Sequence, residues 1–155
     1  MKKIIILITI IILSYSKSYS QWVVCPNSGG NVNSIVFKGN NVFAGGWGSG
    51  VYLSTDNGAN WNTANQGLNN LYVNTMAVSG NNIYAGTGDD FGGGGVYYSS
   101  DNGANWNLIG LNNIWIHSLG VNGNNIFAGT NGKGVFLSTN NGTNWTPLNT
   151  GIDTN

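Results

Sequence analysis

The sequence repeats itself three times, and this repetition constrains the fold more than any other feature. Three short segments recur in the same order: Gly-Asn-Asn, an aromatic-Ala-Gly triplet, and a segment that starts with Ser and ends in Trp. The last segment ends at Trp61, Trp106 and Trp145, so successive copies lie 45 and 39 residues apart. A period near 40 residues is typical of chains that stack one small structural unit on the next.

Within each copy, the apolar residues form short runs rich in β-branched and aromatic side chains, separated by Gly and Asn. This pattern predicts strands, and the sequence after residue 20 shows no helical periodicity. In the first copy we predict strands near residues 34–38, 41–45 and 51–54, and a fourth strand from about Trp61. Gly39-Asn40-Asn41 suits a tight hairpin because Gly and Asn tolerate positive φ. Each copy is therefore predicted to be a four-stranded antiparallel meander.

Four-stranded meanders at this spacing are typical of β-propeller blades. The chain is predicted to be all-β, with blade 1 at about residues 32–68, blade 2 at about 73–111 and blade 3 at about 116–152. Residues 21–24 resemble a fourth strand without its own blade, and we interpret them as a closing strand. Propellers typically have about 4 to 8 blades. Three blades therefore favour part of a propeller with about six to eight blades, and pairing of two copies is the alternative.

Residues 1–20 have the pattern of a secretory signal peptide. Met1-Lys2-Lys3 precedes an apolar run from Ile4 to Leu13, and small polar residues follow up to Ser20. The run is shorter than the about 20 apolar residues that a membrane-spanning helix needs. We predict cleavage before Gln21 and delivery to a bacterial cell envelope or the medium. A retained N-terminal anchor is the alternative.

The predicted mature chain carries few charges. All five cationic residues are lysines and three of them lie in the signal, so Lys38 and Lys133 remain against five aspartates, a net charge of 2 − 5 = −3. Nucleic acids and anionic membranes bind basic surfaces, so we predict neither as a partner and expect no membrane insertion after cleavage. Cys25 is the only cysteine and has no intramolecular partner. We expect an inert thiol, and pairing between chains is the alternative.

The segment that ends in Trp follows the pattern Ser-x-Asp-x-Gly-x-x-Trp and resembles the Asp-box, or bacterial neuraminidase repeat (BNR). Residues 54–61 and 99–106 match it in full, and the third copy has Asn140 in place of the aspartate. Families with such repeats include sialidases, xyloglucan-degrading glycosidases, sortilin-like receptors and photosystem II assembly-factor-like proteins. The resemblance implies a β-propeller, but the activities of these families differ, so it does not fix the function.

The residues that make the repeat recognisable are interpreted as structural. Ser and Asp side chains can bind the backbone of the turn, Gly takes the left-handed conformation, and Trp is expected to be buried between blades. Catalysis by Asp56 or Asp101 is the less favoured alternative. Asn140 keeps an acceptor oxygen without the charge, so the third turn is expected to be slightly weaker. The structural set is Ser54, Asp56, Gly58, Trp61, Ser99, Asp101, Gly103, Trp106, Ser138, Asn140, Gly142 and Trp145.

One end of the predicted meanders differs between the copies and is the candidate binding surface. The connections between strands two and three and between successive blades share this end, and loops at one face are the usual binding surface of repeat proteins. Exposed aromatic rings there suit sugar rings or peptide side chains. The alternative is that the larger aromatics only pack over blade junctions. The candidate residues are Trp47, Tyr72, Asp89, Asp90, Phe91, Trp115, His117 and Lys133.

The polar residues at this end have simple interpretations. His117 occupies the position of Asn33 and Asn74 in the other copies, so we expect a hydrogen-bonding loop residue rather than a base or a ligand. Asp89 and Asp90 could hold calcium, but two solvated carboxylates in a glycine-rich loop are favoured. We therefore predict no metal and no other cofactor.

The function predicted from the sequence is a non-enzymatic exported propeller that binds a glycan or a protein. The alternative is a fragment of a sialidase-like or other glycoside hydrolase whose catalytic residues lie in other blades. Sialidases of the resembled kind use an arginine cluster with Tyr, Glu and Asp, and this chain has no Arg or Glu. Glycosidases generally use two carboxylates at a defined separation, which adjacent Asp89 and Asp90 suit poorly. A third hypothesis is a scaffold protein similar to the photosystem II assembly factors. It differs from the first hypothesis only in the partner that the protein binds.

Overall fold

The computed structural model describes residues 31–152. These residues form twelve strands and no helix, so none of them belongs to a helix able to cross a membrane. The predicted signal peptide, the predicted closing strand at residues 21–24, Cys25 and Asp153 lie outside the described residues.

The twelve strands form three separate four-stranded antiparallel sheets, one for each repeat. Each strand pairs with the next along the chain, so each sheet is a meander, and the predicted all-β architecture is confirmed. The strands of blade 1 are β1 (Val32–Lys38), β2 (Asn41–Gly46), β3 (Gly50–Ser54) and β4 (Asn62–Thr63). Those of blade 2 are β5 (Val73–Ser79), β6 (Asn82–Gly88), β7 (Gly94–Ser99) and β8 (Asn107–Gly110). Those of blade 3 are β9 (Ile116–Asn122), β10 (Asn125–Thr130), β11 (Val135–Ser138) and β12 (Thr146–Pro147).

The hairpin between the first two strands of blade 1 places a glycine in the left-handed conformation. Lys38 pairs with Asn41, so Gly39 and Asn40 form a two-residue turn. Gly39 has a φ of 59°, a left-handed conformation that glycine adopts without the steric cost of a side chain. The Gly-Asn-Asn segment is thus a two-residue hairpin turn with glycine first.

The turn between the third and fourth strands of each blade, which we call the serine turn, is built around a buried hydroxyl. In blade 2, Ser99 Oγ accepts the backbone N–H of Gly103 and donates to Asp101 Oδ1, both at 2.9 Å. The Asp101 carboxylate in turn accepts the backbone and side-chain N–H groups of Asn105 at 2.9 and 2.8 Å. Asn102 and Gly103 have φ of 59° and 79°. Two residues are therefore left-handed, not glycine alone as the sequence suggested.

The other two serine turns repeat this network with one difference. In blade 1 the same contacts join Ser54, Asp56, Gly58 and Asn60. In blade 3, Asn140 Oδ1 accepts from Ser138 Oγ at 3.0 Å and from Asn144 N at 2.9 Å. The side-chain nitrogen of Asn140 can only donate, so it cannot replace Oδ2 of the aspartate as an acceptor.

Each pair of neighbouring blades buries an apolar layer between its two faces. The first strands pack against each other, β1 against β5 and β5 against β9. Blades 1 and 2 enclose Phe43, Val51, Leu68, Val73, Met76, Ile83, Ala85, Tyr97 and Trp106. Blades 2 and 3 enclose Val96, Ile116 and Ala128, with Ile109, Leu119 and Trp145 partly buried against them. The core therefore lies between the sheets, and each blade depends on its neighbour for burial.

The tryptophan at the end of a serine turn ties its blade to the preceding one. Trp106 is 3% exposed, and its Nε1 donates to the carbonyl of Ala64 at 2.8 Å. Trp145 Nε1 donates in the same way to the carbonyl of Ile109 at 3.1 Å. Trp106 has the buried position expected from the sequence, whereas Trp145 and Trp61 are half-buried.

Removal of the serine hydroxyl should destabilise a blade. Ser99→Ala leaves the N–H of Gly103, in a buried residue, without its acceptor, and an unpaired buried donor costs about 1–3 kcal/mol. Urea unfolding would compare this variant with Ser100→Ala, which alters the exposed serine next to it. Equal free energies of unfolding for the two variants would contradict this role of the hydroxyl.

The aspartates of the serine turns should make the free energy of unfolding depend on pH in the acid range. Hydrogen bonds from the side chain and then the backbone of Asn105 lower the pKa of Asp101 from 3.8 to about 2. The equivalent bonds from Asn60 lower the pKa of Asp56. A carboxylate whose pKa is lowered on folding stabilises the fold above its unfolded pKa, and this contribution is lost as the pH falls from about 4 towards 2.

We therefore expect the free energy of unfolding to decrease over that pH range in the unchanged chain, and to decrease less in the double variant Asp56→Asn/Asp101→Asn. Chemical denaturation at several acid pH values measures both slopes. Ser100→Ala is the control, because it changes an exposed residue that has no ionisable side chain, and it should keep the original slope. A double variant with an unchanged slope would show that these carboxylates do not cause the acid dependence.

Candidate binding surface

Aromatic side chains from different turns meet at the end of the stack opposite the serine turns. Trp47 lies in the β2–β3 turn, Tyr72 precedes β5 and Trp115 precedes β9. The ring centroid of Trp47 is 5.1 Å from that of Tyr72, edge to face, and 6.1 Å from that of Trp115. The rings of Trp115 and His117 are 4.5 Å apart. We call these four residues the aromatic cluster.

The meander fixes the backbone positions from which the cluster is built. In each blade, a residue at the end of the second strand, either its last residue or the next one, donates its N–H to the carbonyl of the residue before the first strand. Side chains at these two positions therefore lie close together at one end of the first and second strands of the blade. The three bonds run from Trp47 to Asn31 at 2.8 Å, from Gly88 to Tyr72 at 3.0 Å and from Asn131 to Trp115 at 3.0 Å.

Gly88 provides space for Trp115. It has a φ of 132°, and a Cβ at this position would lie 2.7 Å from Trp115 Cα and 3.0 Å from Trp115 Cδ1. Gly88 is not among the binding residues predicted from the sequence. The one indication in the sequence is that Gly88 occupies in blade 2 the position that Trp47 occupies in blade 1.

The structure corrects the expectation for His117. This residue is in strand β9, not in a loop. Its counterpart in blade 2, Asn74, donates from its side chain to the carbonyls of Gly88 and Ile116 at 2.8 and 3.1 Å. The ring of His117 is exposed and lies against that of Trp115, so the replacement of Asn by His extends the aromatic surface.

The packing of this end leaves polar atoms unsatisfied. Within residues 31–152, two buried side-chain polar atoms lack a hydrogen-bond partner, Trp115 Nε1 and Ser49 Oγ. Ser49 is in the same turn as Trp47, so both atoms lie at the end that carries the aromatic cluster. An unpaired buried polar atom costs about 1–3 kcal/mol. Trp47 is 36% exposed at this end.

The other candidate residues at this end lie outside the aromatic cluster. Asp89 is 6% exposed and its Oδ1 accepts the backbone N–H of Phe91 at 3.1 Å. The expectation of two solvated carboxylates is therefore wrong for Asp89, which closes its own loop, while Asp90 is exposed and Phe91 is 94% exposed. Lys133 lies exposed in the β10–β11 turn. No group of three or more potential metal-ligating residues occurs in the part of the chain that the structure describes.

A shallow groove of about 310 Å³ lies at the junction of blades 1 and 2, beside the serine turn of blade 2. Its lining comprises Leu53, residues 63–66 and residues 101–104. Asp101 holds the serine turn, and Asn102 Oδ1 accepts from Lys38 Nζ at 2.7 Å. These polar groups are already hydrogen-bonded to other groups of the protein. We therefore interpret the groove as part of the junction between the two blades and not as a binding site.

The profile of a known family, the DUF6242 beta propeller domain, matches residues 15–155. The chain belongs to this family. Its three four-stranded sheets are therefore propeller blades, and the predicted fold class is confirmed. No curated protein matches the sequence of this propeller domain.

Solved structures with the same fold include enzymes and a peptide-binding protein. An ancestral GH74 enzyme is 28% identical with a TM-score of 0.64, over 78% of this chain and 18% of the enzyme. YCF48 bound to D1 peptide is 18% identical with a TM-score of 0.62, over 77% of this chain and 41% of YCF48. The GH74 xyloglucanase from Xanthomonas campestris is 18% identical with a TM-score of 0.61, over 77% and 21%. The propeller domain thus spans less than half the length of each.

Substitution of Gly88 should displace Trp115. Gly88→Ala places a methyl group within 2.7 Å of Trp115 Cα, and overpacking typically costs about 1–3 kcal/mol. Gly92→Ala is the matched control, because Gly92 also has positive φ (86°) but a Cβ there would meet nothing within 4 Å. Urea unfolding and near-ultraviolet circular dichroism would report stability and the indole environment. Identical results for the two variants would contradict a close contact between Gly88 and Trp115.

Proposed function

We propose that this propeller domain is an exported, non-enzymatic binding module of the Asp-box type, and that its ligand contacts the aromatic cluster. The ligand is a neutral sugar ring or an apolar peptide side chain that packs against Trp47 and its neighbours. The observation that carries this proposal is the meeting of Trp47, Tyr72 and Trp115, from three separate connections, at one end of the stack.

The residues at the positions of Trp47 and Trp115 differ between the three blades. The position of Trp47 holds Gly88 in blade 2 and Asn131 in blade 3, and the position of Trp115 holds Asn31 in blade 1. The same backbone hydrogen bond forms in every blade. An aromatic residue is therefore not needed at either position for this bond within a blade to form. Exposed aromatic rings provide large, rigid surfaces for sugars or side chains, which supports a binding role.

The known structures provide two precedents for the kind of ligand. YCF48 has this fold and is bound to D1 peptide, and the GH74 protein from Xanthomonas campestris is a xyloglucanase. Protein and carbohydrate are thus the two ligand classes to test. The indole rings of Trp47 and Trp115 carry no charge, which favours uncharged groups in either class.

A glycoside hydrolase is the second candidate, because the ancestral GH74 enzyme is 28% identical over 78% of the chain. Catalysis by this class generally requires a carboxylic acid and a second carboxylate. Asp56 and Asp101 hold serine turns and have lowered pKa values, the opposite of what a general acid needs. Asp89 closes its own loop. The enzymatic alternative therefore depends on residues outside 31–152.

The binding proposal is tested with arrays of neutral oligosaccharides, including xyloglucan fragments, and of peptides, followed by calorimetry on any ligand found. Trp47→Ala should weaken binding by about 10- to 100-fold, as truncation of a central aromatic anchor does. Phe91→Ala removes a 94% exposed ring outside the aromatic cluster and should change the affinity much less. The proposal is wrong if neither array gives a ligand, or if both variants bind as tightly as the unchanged chain.

A further inference from the structure

Five asparagines of the sequence are followed directly by glycine. Asparagine is a chemically labile residue, and it is most reactive before glycine, which has no side chain to shield its nitrogen. That nitrogen loses its proton and attacks Cγ of the asparagine, a succinimide ring forms, and ammonia leaves. Water then opens the ring and gives aspartate or isoaspartate. The five asparagines are Asn57, Asn102, Asn122, Asn131 and Asn141.

Exposure to solvent does not distinguish these five sites. All five asparagines are exposed, so water and base reach each of them. Differences in reactivity must therefore come from the conformation of the asparagine and from the hydrogen bonds of the glycine N–H.

Three of the Asn-Gly pairs lie in the serine turns, where the glycine N–H is hydrogen-bonded. The serine Oγ accepts this N–H at 2.8 Å in blades 1 and 3 and at 2.9 Å in blade 2. The asparagines are left-handed, with φ of 57°, 59° and 55° at Asn57, Asn102 and Asn141. An N–H that is held in a hydrogen bond is less available to a base, because its removal also breaks that bond.

The succinimide ring cannot form while the asparagine keeps its left-handed conformation. The planar ring places the glycine nitrogen next to Cγ, which requires a ψ outside the left-handed region. Rotation towards that ψ moves the glycine N–H away from the serine Oγ. In blades 2 and 3 the glycines are the buried Gly103 and Gly142, so the rotation leaves a buried donor without its acceptor.

The other two Asn-Gly pairs lack this protection. Asn122-Gly123 lies at the β9–β10 hairpin and Asn131-Gly132 at the β10–β11 turn. All four residues are exposed, and neither asparagine is left-handed. The N–H groups of Gly123 and Gly132 donate to no backbone carbonyl within residues 31–152. Each pair can therefore rotate without breaking such a bond.

We propose that the serine hydroxyl protects the Asn-Gly pair of its own turn against deamidation, and that the folded chain deamidates at Asn122 and Asn131 instead. The serine turn then has a chemical role besides its structural one, because a single hydroxyl closes the turn and holds the N–H that the reaction needs. This role is independent of the proposed ligand.

Asn131 lies at the end of the stack that carries the aromatic cluster. Its backbone N–H donates to the carbonyl of Trp115 at 3.0 Å, and it occupies in blade 3 the position of Trp47. Deamidation adds a negative charge at this position, and isoaspartate also adds a methylene group to the main chain. Modification of Asn131 therefore changes both charge and backbone beside the candidate binding surface.

Deamidation rates in the unchanged chain test the proposal. The folded protein is kept in mildly alkaline buffer, and a sample unfolded in urea gives the rate of each pair without structure. Cleavage after aromatic residues places the five asparagines in five different peptides, and mass spectrometry distinguishes the amide from the acid. We expect Asn57, Asn102 and Asn141 to react at least about tenfold more slowly in the folded chain, as the cost of one broken hydrogen bond implies. Asn122 and Asn131 should react at similar rates in both samples.

Two results would overturn the proposal. One is a serine-turn asparagine that deamidates as fast as Asn131 in the folded chain. The other is a folded chain in which Asn122 and Asn131 are as slow as the serine-turn asparagines.

Removal of one hydroxyl tests its role directly. Ser99→Ala should raise the rate at Asn102 about tenfold, while Asn57 and Asn141 in the same molecule keep their rates. Ser100→Ala is the matched control, because it removes the exposed neighbouring hydroxyl, and it should change none of the rates. An unchanged rate at Asn102 in folded Ser99→Ala would refute the role of the hydroxyl.

The same measurement recognises a variant that fails to fold, because the rates at all three serine turns would then rise together. Ser138→Ala provides a second turn for this case, and it should raise the rate at Asn141 and not at Asn102. If neither variant folds, the comparison of the unchanged chain with its urea-unfolded sample decides.

Discussion

A buried hydroxyl oxygen closes the turn between the third and fourth strands of each blade. In all three turns it accepts the glycine N–H at 2.8 or 2.9 Å and donates to the Asp or Asn two residues on. The closed turn sets the direction of the tryptophan that follows, and this ring donates its N–H to the preceding blade. Since each sheet buries its faces only against other sheets, this local bond supports both the blade and the junction between blades. The cluster at the opposite end depends on those junctions.

Contacts that span few residues could be predicted from the sequence, and contacts that depend on packing could not. The serine turn joins residues two to four positions apart, so its residue pattern is sufficient to identify it. The meander also places Trp47 and Trp115 at one end of the stack, as predicted. Their contact spans 68 positions and requires two blades to pack at a particular distance, which no local pattern specifies. Gly88 was missed because its importance arises only from the position of Trp115.

Two other differences have the same physical origin. Asp89 was expected in solvent, but it lies in the five-residue connection between β6 and β7, and its carboxylate accepts the backbone N–H of Phe91 in that loop. The fourth strands of blades 1 and 3 are only two residues long, whereas the fourth strand of blade 2 has four residues. The residue types along the chain predict that these segments form strands. The length of each strand and the contacts of each loop depend on neighbouring segments, whose positions cannot be derived from the sequence pattern.

Comparison of equivalent positions in the three repeats separates residues that the blade fold needs from residues that are available for function. Positions that agree in all blades, such as the serine and the tryptophan of the turn, carry the contacts that every blade makes. Positions that differ between the blades do not make these shared contacts. At the variable end, one such position holds Trp, Gly or Asn, although its N–H makes the same backbone hydrogen bond in every blade. His117 belongs to both groups. It follows Asn33 and Asn74 in the series that bonds to the next blade, and its ring lies against Trp115. The side chain of His117 therefore occupies a junction position in the repeat and also borders the aromatic cluster.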